Sequence, residues 1–292
     1  MYRIILISLV LVSFSWGKVN IVSSTTDLAA IAREIGGEYV KVESIAKGTQ
    51  DPHYVEVLPS YMLKVKRAQI YLKVGMELDL WADHIIGGSR NRDLVIVDCS
   101  ENIEALEVPT GKVDASMGDI HSFGNPHYWL DPQNGILIAE TITQALVRQD
   151  SKHSEYYMNN MDVFRKSVEK KMAIWKEEFA VLSGTKLLYY HNTWPYFNHR
   201  FGLIPREFVE PKPGIMPTPN HVDHLVKLID EEGIRVLAME PYFSDTAPNY
   251  LAKKTGISVL KMAPSVGGQP GTDTYLEMIE YNLRILLKAE GL

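Results

Sequence analysis

The apolar positions switch repeatedly between short runs and longer stretches with helical spacing, which predicts alternating strands and helices. Val19 to Ser23 reads as a strand, after which Thr25, Thr26 and Asp27 offer cap-type residues for a helix stopped by Gly36-Gly37. Further strand-like runs stand at Val40 to Ala46, Ile70 to Val74 and Leu94 to Asp98. Helical stretches begin at Pro59 and Leu78, and another runs from Gln133 to about Gln149. Ser151 to Leu182 is rich in Lys, Glu and Met and free of Pro and interior Gly, so it reads as one long helical stretch. Beyond Gly184 the alternation resumes, with strands at Leu187 to Tyr190, Val236 to Met239 and Val259 to Lys261, and a last helix from Asp273 to about Ala289. Such alternation predicts an α/β fold: two lobes with mainly parallel sheets, 18–150 and 185–292, joined by one long rigid helix over 151–182. Pro211, Pro213, Pro217 and Pro219 mark a stiff surface loop, because proline fixes φ and donates no hydrogen bond.

The first residues follow a different pattern. Arg3 is the only charge before Lys18, Ile4 to Phe14 is almost wholly apolar, and Ser15-Trp16-Gly17 offers small residues where a signal peptidase reads. Residues 1–17 therefore read as a secretory signal peptide, too short to span a bilayer. Cys99 is the single cysteine, so no intramolecular disulfide can form, and it lies far from the cleavage point. The expectation is a soluble periplasmic protein with no lipid-anchor cysteine. The 292 residues are 46% hydrophobic, enough to bury sizeable cores without such staples. A formal charge of −6 with no long basic run excludes nucleic acid as a natural partner.

Candidate chemistry concentrates in the histidines. His53 lies in the turn-rich Gly48-Thr49-Gln50-Asp51-Pro52-His53, and His127 in Gly124-Asn125-Pro126-His127-Tyr128-Trp129-Leu130-Asp131-Pro132. His191 comes directly after one predicted strand and Glu240 directly after another. Ligands of open α/β sheets bind at the carboxyl ends of the strands, so these groups, two from each lobe, would meet in the inter-lobe cleft. Three imidazoles and one carboxylate suit a four-coordinate zinc ion.

Asp51-Pro52-His53 with Pro59-Ser60, the segment Asn125 to Pro132, and His191-Asn192-Thr193-Trp194-Pro195-Tyr196-Phe197 closely resemble three signature segments of the zinc- and manganese-binding receptors of bacterial ABC importers. The resemblance covers essentially the whole mature chain. It implies two α/β lobes bridged by a long helix, with the metal held between them by His53, His127 and His191. It also implies an ABC permease in the inner membrane as partner and a monomeric receptor. A histidine at the third position leans toward Zn²⁺ as the transported ligand, with Mn²⁺ or Fe²⁺ as the alternative. Two departures stand out. The aspartate many relatives place after the last strand is absent from Ala263-Pro264-Ser265-Val266-Gly267-Gly268, and the long His/Asp-rich loop is reduced to Asp114, Asp119 and His121. Glu240 is the expected fourth ligand, because a carboxylate would halve the net +2 charge of a three-histidine site; water, Asp119 or His121 are the alternatives.

The remaining histidines have plainer readings. Asp119 and His121 read as a solvated polar loop that could also deliver or gate metal. His221 and His224 read as a helix-surface pair behind the caps Thr218 and Asn220. His84 and His199 read as surface or satisfied helical residues, His153 as the start of the connecting helix, and Cys99 as a small buried hydrophobe. Tyr128, Trp129, Trp194, Tyr196 and Phe197 are expected to wall the site. The rival function is a secreted zinc hydrolase or hydratase, since three histidines with an open water position also make catalytic zinc. No His-Glu-x-x-His helix or nucleophile motif supports it, and the chain reads as no enzyme. Nor does an adhesive repeat support a third option, a role in adhesion.

Overall fold

The computed structural model describes residues 17–111, 118 and 121–291. The expected leader, apart from Gly17, and the acidic positions Asp114 and Asp119 lie outside the described residues. Two parallel sheets form the frame. The first has the order β2-β1-β3-β4, built from β1 (Val19–Ser23), β2 (Val40–Ser44), β3 (Ile70–Lys73) and β4 (Val95–Asp98). The second repeats that layout as β6-β5-β7-β8, with β5 (Lys186–Tyr189), β6 (Ile204–Phe208), β7 (Val236–Met239) and β8 (Ser258–Lys261). Runs of buried branched residues in β1, β3 and β7 suit strands covered by helices on both faces.

Strand β6 has no counterpart in the sequence reading. Pro205 sits inside it, and proline is tolerated only where its missing N–H removes no ladder bond. The edge position of β6, paired only with β5 and with a register irregularity at Leu187/Leu188, supplies that tolerance. This strand matters because it delivers Glu210 to the cleft.

Helices α1 (Thr26–Gly36), α2 (Pro59–Lys66), α3 (Trp81–Ser89) and α4 (Pro132–Gln149) cover the first sheet, and α6 (Pro195–Phe201), α7 (Pro219–Glu232) and α8 (Thr246–Thr255) flank the second. The connecting segment resolves into α5 (Ser154–Glu178) between single 3-10 turns at Ser151–His153 and Ala180–Leu182. Tyr157, Met161, Phe164, Val168 and Trp175 form its buried stripe, spaced as one helical face requires. The last helix, α9 (Tyr275–Ala289), starts with a capping box between Thr274 and Glu277 and packs back against α1 and α5.

That return helix makes the two lobes mechanically one body. A single continuous core runs from Ile21 and Leu72 of the first sheet, through Trp129 and Phe164, to Leu187, Val236 and Leu286. Polar contacts stitch the same boundary. Arg200 donates from Nε and one terminal nitrogen to both oxygens of Asp131, each at 2.7 Å. The Trp129 indole donates to the Pro264 carbonyl at 2.8 Å, and the Tyr275 hydroxyl donates to the Trp129 carbonyl at 2.6 Å. The Tyr196 hydroxyl donates to the Asn125 carbonyl at 2.9 Å. Two of the expected aromatics, Trp129 and Tyr196, thus fasten one lobe to the other.

A stiff connector without Gly or Pro and a shared core leave little room for lobe closure. Small-angle scattering curves of the metal-free and zinc-loaded chain are expected to superpose, and a clear drop in radius of gyration on adding zinc would contradict this.

Candidate metal centre

The strands of each sheet run parallel, and the loops leaving the carboxyl ends of β2 and β5 carry His53 and His191. The ligand atoms of His53, His127 and His191 lie within 4.8 Å of one another, the one such histidine, cysteine or acidic group of three or more among the described residues. The ring centroids are 5.1 Å apart for His53 and His127, 5.4 Å for His53 and His191, and 6.0 Å for His127 and His191. In a tetrahedral zinc site, ligand nitrogens at about 2.0–2.1 Å from the ion stand roughly 3.4 Å apart. A small contraction suffices to reach that geometry.

Each ring is oriented by its other nitrogen. Asp51 Oδ1 accepts from the His53 backbone N–H at 2.9 Å and from His53 Nδ1 at 2.8 Å. Asn125 Oδ1 accepts from the His127 N–H at 3.1 Å and faces His127 Nδ1 at 3.0 Å. The same device therefore appears twice: an acceptor two residues before the histidine, with proline between them. His191 Nδ1 donates to Glu210 Oε2 at 2.7 Å, and Glu210 is steadied by the Gly214 N–H at 3.0 Å. A carboxylate can only accept, so the proton sits on Nδ1 and the lone pair on Nε2. The Nε2 atoms of His53 and His127 are buried without any hydrogen-bond partner, which is costly unless a ligand takes them.

Burial first, and then the neighbouring rings His53, His191 and His121, holds His127 well below its ordinary pKa of 6.5, so it is neutral and able to ligate. Burial pushes the Asp51 carboxyl up, but hydrogen bonds from His53 outweigh it and leave the carboxyl below its usual range.

Glu240 corrects an expectation. It is fully buried but stands outside the converging group, and its Oε1 accepts from the Trp194 indole at 2.9 Å. Burial raises its pKa to about 8 in the metal-free chain. His121 corrects another: it is no solvated loop residue but half-buried, with its ring stacked on His53 at 5.3 Å. His221 and His224 form the expected pair on α7, with the Thr218 hydroxyl accepting from the His221 N–H. His84 and His199 are exposed, and Cys99 is buried. His153 is bonded to Asp150 at 2.6 Å and stacked on Tyr39. Sequence reasoning missed Asp51, Asn125 and Glu210 as orienting groups. The first two were visible as acceptors two positions before a histidine.

Two twinned α/β lobes around an imidazole-lined cleft define a metal-binding receptor of the solute-receptor class. The chain belongs to the family described as zinc-uptake complex component A, periplasmic, whose model matches residues 21–289. It is 25% identical over 277 residues to the metal ABC transporter substrate-binding lipoprotein SloC of Streptococcus mutans, covering 91% of this chain and 88% of that one. It is 24% identical over 279 residues to the iron-binding protein YfeA of Yersinia pestis, covering 94% and 87%. It is 25% identical over 288 residues to the manganese ABC transporter substrate-binding lipoprotein PsaA of Streptococcus pneumoniae, covering 94% and 89%. The fold matches a crystal structure of ZnuA with a TM-score of 0.80 at 21% identity, covering 93% of this chain and 99% of that one. These relatives are substrate-binding receptors and not enzymes, so the hydrolase reading falls.

The same names correct the expected location. SloC and PsaA are named as lipoproteins, so the expectation of a receptor without a lipid anchor is withdrawn. Placement outside the cytoplasm stands.

The buried acids give a pH test of the metal-free fold. Unfolded glutamate titrates near 4.5, whereas folded Glu240 holds its proton to about 8. Asp27, buried where its Oδ1 accepts from the Val266 N–H, is likewise raised from 3.8 to about 7. Between those values the folded state binds more protons than the unfolded one, so stability falls as pH rises from about 4 to about 8. Glu240→Gln is expected to flatten the upper part of that slope by a few kcal/mol, an order-of-magnitude figure. Thermal melts of apo protein at pH 5 and pH 8 check it: equal slopes for wild type and variant would contradict the assignment.

Proposed function

We propose that this receptor captures one Zn²⁺ per chain outside the cytoplasmic membrane and hands it to an ABC permease. The observation that carries the reading is the convergence of three histidines whose Nδ1 atoms are all engaged, leaving three Nε2 lone pairs for one ion. An all-imidazole set with no carboxylate in the converging group favours zinc, whereas manganese prefers oxygen donors. A manganese or iron receptor is the second reading, favoured by the names of PsaA and YfeA. All three donors come from one chain, so the site needs no second copy.

Elemental analysis of protein purified without added metal, followed by Zn²⁺/Mn²⁺ competition, tests the choice of ion. Zinc at one per chain and displacement of Mn²⁺ by Zn²⁺ are expected; stoichiometric manganese that zinc fails to displace would move the reading to the alternative. Replacing His53, His127 or His191 with Ala is expected to lower zinc affinity by orders of magnitude, and full affinity in any two variants would sink the site. Protons compete for the same lone pairs, since free histidine titrates near 6.5. Zinc affinity should therefore decline below about pH 6, and a flat affinity between pH 7 and pH 5 would argue against imidazole ligation.

A further inference from the structure

We propose that His121 supplies a fourth ligand to the captured ion, completing an all-imidazole shell that discriminates for zinc; this rests on the receptor reading above. The His121 ring stacks on His53 with centroids 5.3 Å apart and planes 26° apart. His127 and His191 approach that same ring to similar distances, 5.1 and 5.4 Å. Four imidazoles thus crowd one end of the cleft, although only three have ligand atoms already within mutual range. His121 stands on the flank of that triple, so ligation draws its segment inward while the three anchored rings stay in place.

Gly118 and Gly124, on either side of His121 in sequence, have φ of +81° and +104°. A Cβ at Gly118 would lie 2.2 Å from the Pro213 carbonyl oxygen, and one at Gly124 would lie 2.7 Å from that of Leu106. Both glycines are therefore pressed on backbone, one on each lobe, as only glycine allows. A cavity of about 570 Å³ has His121, His127 and His191 on its wall. The neighbouring Ser122 N–H donates to Glu77 Oε2 at 2.6 Å. Glu77 ends three successive left-handed residues, Gly75, Met76 and Glu77, with φ of +80°, +48° and +65°. Non-glycine residues rarely hold that conformation, and it persists where surrounding contacts enforce it. Asp79 enforces it here by accepting from the Val74 and Gly75 N–H groups at 2.8 and 3.1 Å. Glu77 is thus a positioning residue that holds the His121 segment over the ligand triple.

The competing donors are less well placed. Glu240 lies outside the converging group with Oε1 on the Trp194 indole, and the stretch after β8 offers no acid. A fourth nitrogen would complete the closed tetrahedral shell that zinc favours and manganese does not.

X-ray absorption on the zinc-loaded full chain tests this. Wild type is expected to show four imidazole nitrogens at about 2.0–2.1 Å, and His121→Ala three nitrogens and one oxygen. Zinc affinity, measured against a competing chelator, is expected to fall more than about 100-fold in His121→Ala, beyond the range typical of groups acting through another ligand. Mn²⁺ affinity should change far less, so the preference for zinc narrows. His121→Asn, which keeps a polar side chain of similar reach, should lose as much, and unchanged melting of both metal-free variants would show the fold intact. A wild-type shell of three nitrogens and one oxygen, or a smaller loss with an unchanged cobalt(II) spectrum, would overturn the assignment. Failure of the wild-type chain to bind zinc at one per chain would strike the receptor reading itself; full one-to-one binding with an unaltered shell in the variants strikes only His121.

Discussion

The hydrogen bond that each site imidazole makes with its Nδ1 is the constraint on which the rest of the centre depends. It fixes the tautomer, aims Nε2 at a common point and settles the charge of the site. Two of the three acceptors, Asp51 and Glu210, are acidic, and the third, Asn125, is a neutral amide. Two negative charges one ring away from a divalent ion balance it without entering the coordination shell. A carboxylate ligand is therefore not required for neutrality. The argument that a three-histidine site must recruit Glu240 to offset its charge fails on this point. Glu240 can stay protonated because the balancing charge lies elsewhere.

The orienting groups in turn depend on the sheets. Asp51 and His53 travel together on the loop after β2, pinned where the Trp81 indole donates to the Pro52 carbonyl at 2.8 Å. Asn125 and His127 precede the turn whose Asp131 caps α4 through the Gln133 N–H and receives Arg200 from the other lobe. His191 and Glu210 leave neighbouring strands β5 and β6, whose parallel register brings their carboxyl ends side by side. Two rings therefore take their orientation from the first lobe and one from the second. The triple stays aligned only while the lobes keep their relative position.

Much of this was legible in the sequence, and the failures have physical causes. The strand runs and the stop of α1 at Gly36-Gly37 follow from period and from glycine, which act locally. The three histidines were visible because a strand end followed by a turn is a local pattern. Strand β6 was hidden because Ile-Pro-Arg-Glu-Phe looks too polar and carries a proline; only its edge position explains it. Glu240 was placed rightly at the end of β7, but its environment depends on an indole 46 residues away in sequence. His121 was read as loop because nothing near it in sequence announces that its ring rests on His53. Long-range pairing of side chains is what a single sequence conceals.

The shared core also limits how the ion can leave. Separating the lobes would expose Trp129, Tyr196 and Tyr275, all nearly fully buried at the boundary. Each such aromatic buries about 150–250 Å², so at roughly 25 cal/mol per Å² the three together represent on the order of 11–19 kcal/mol. That is as large as the roughly 10–16 kcal/mol apparent binding free energy of a structural zinc site. The broken Arg200–Asp131 pair and the stranded Trp129 indole would add to it. A receptor that gaped to release its ion would lose on opening an amount comparable to what the ion returns on binding. The motions that leave the core intact are those of residues outside it, and two groups beside the ligands qualify: His121, stacked on His53, and the proline-rich stretch from Pro211 to Pro219, which follows Glu210 and carries exposed Met216.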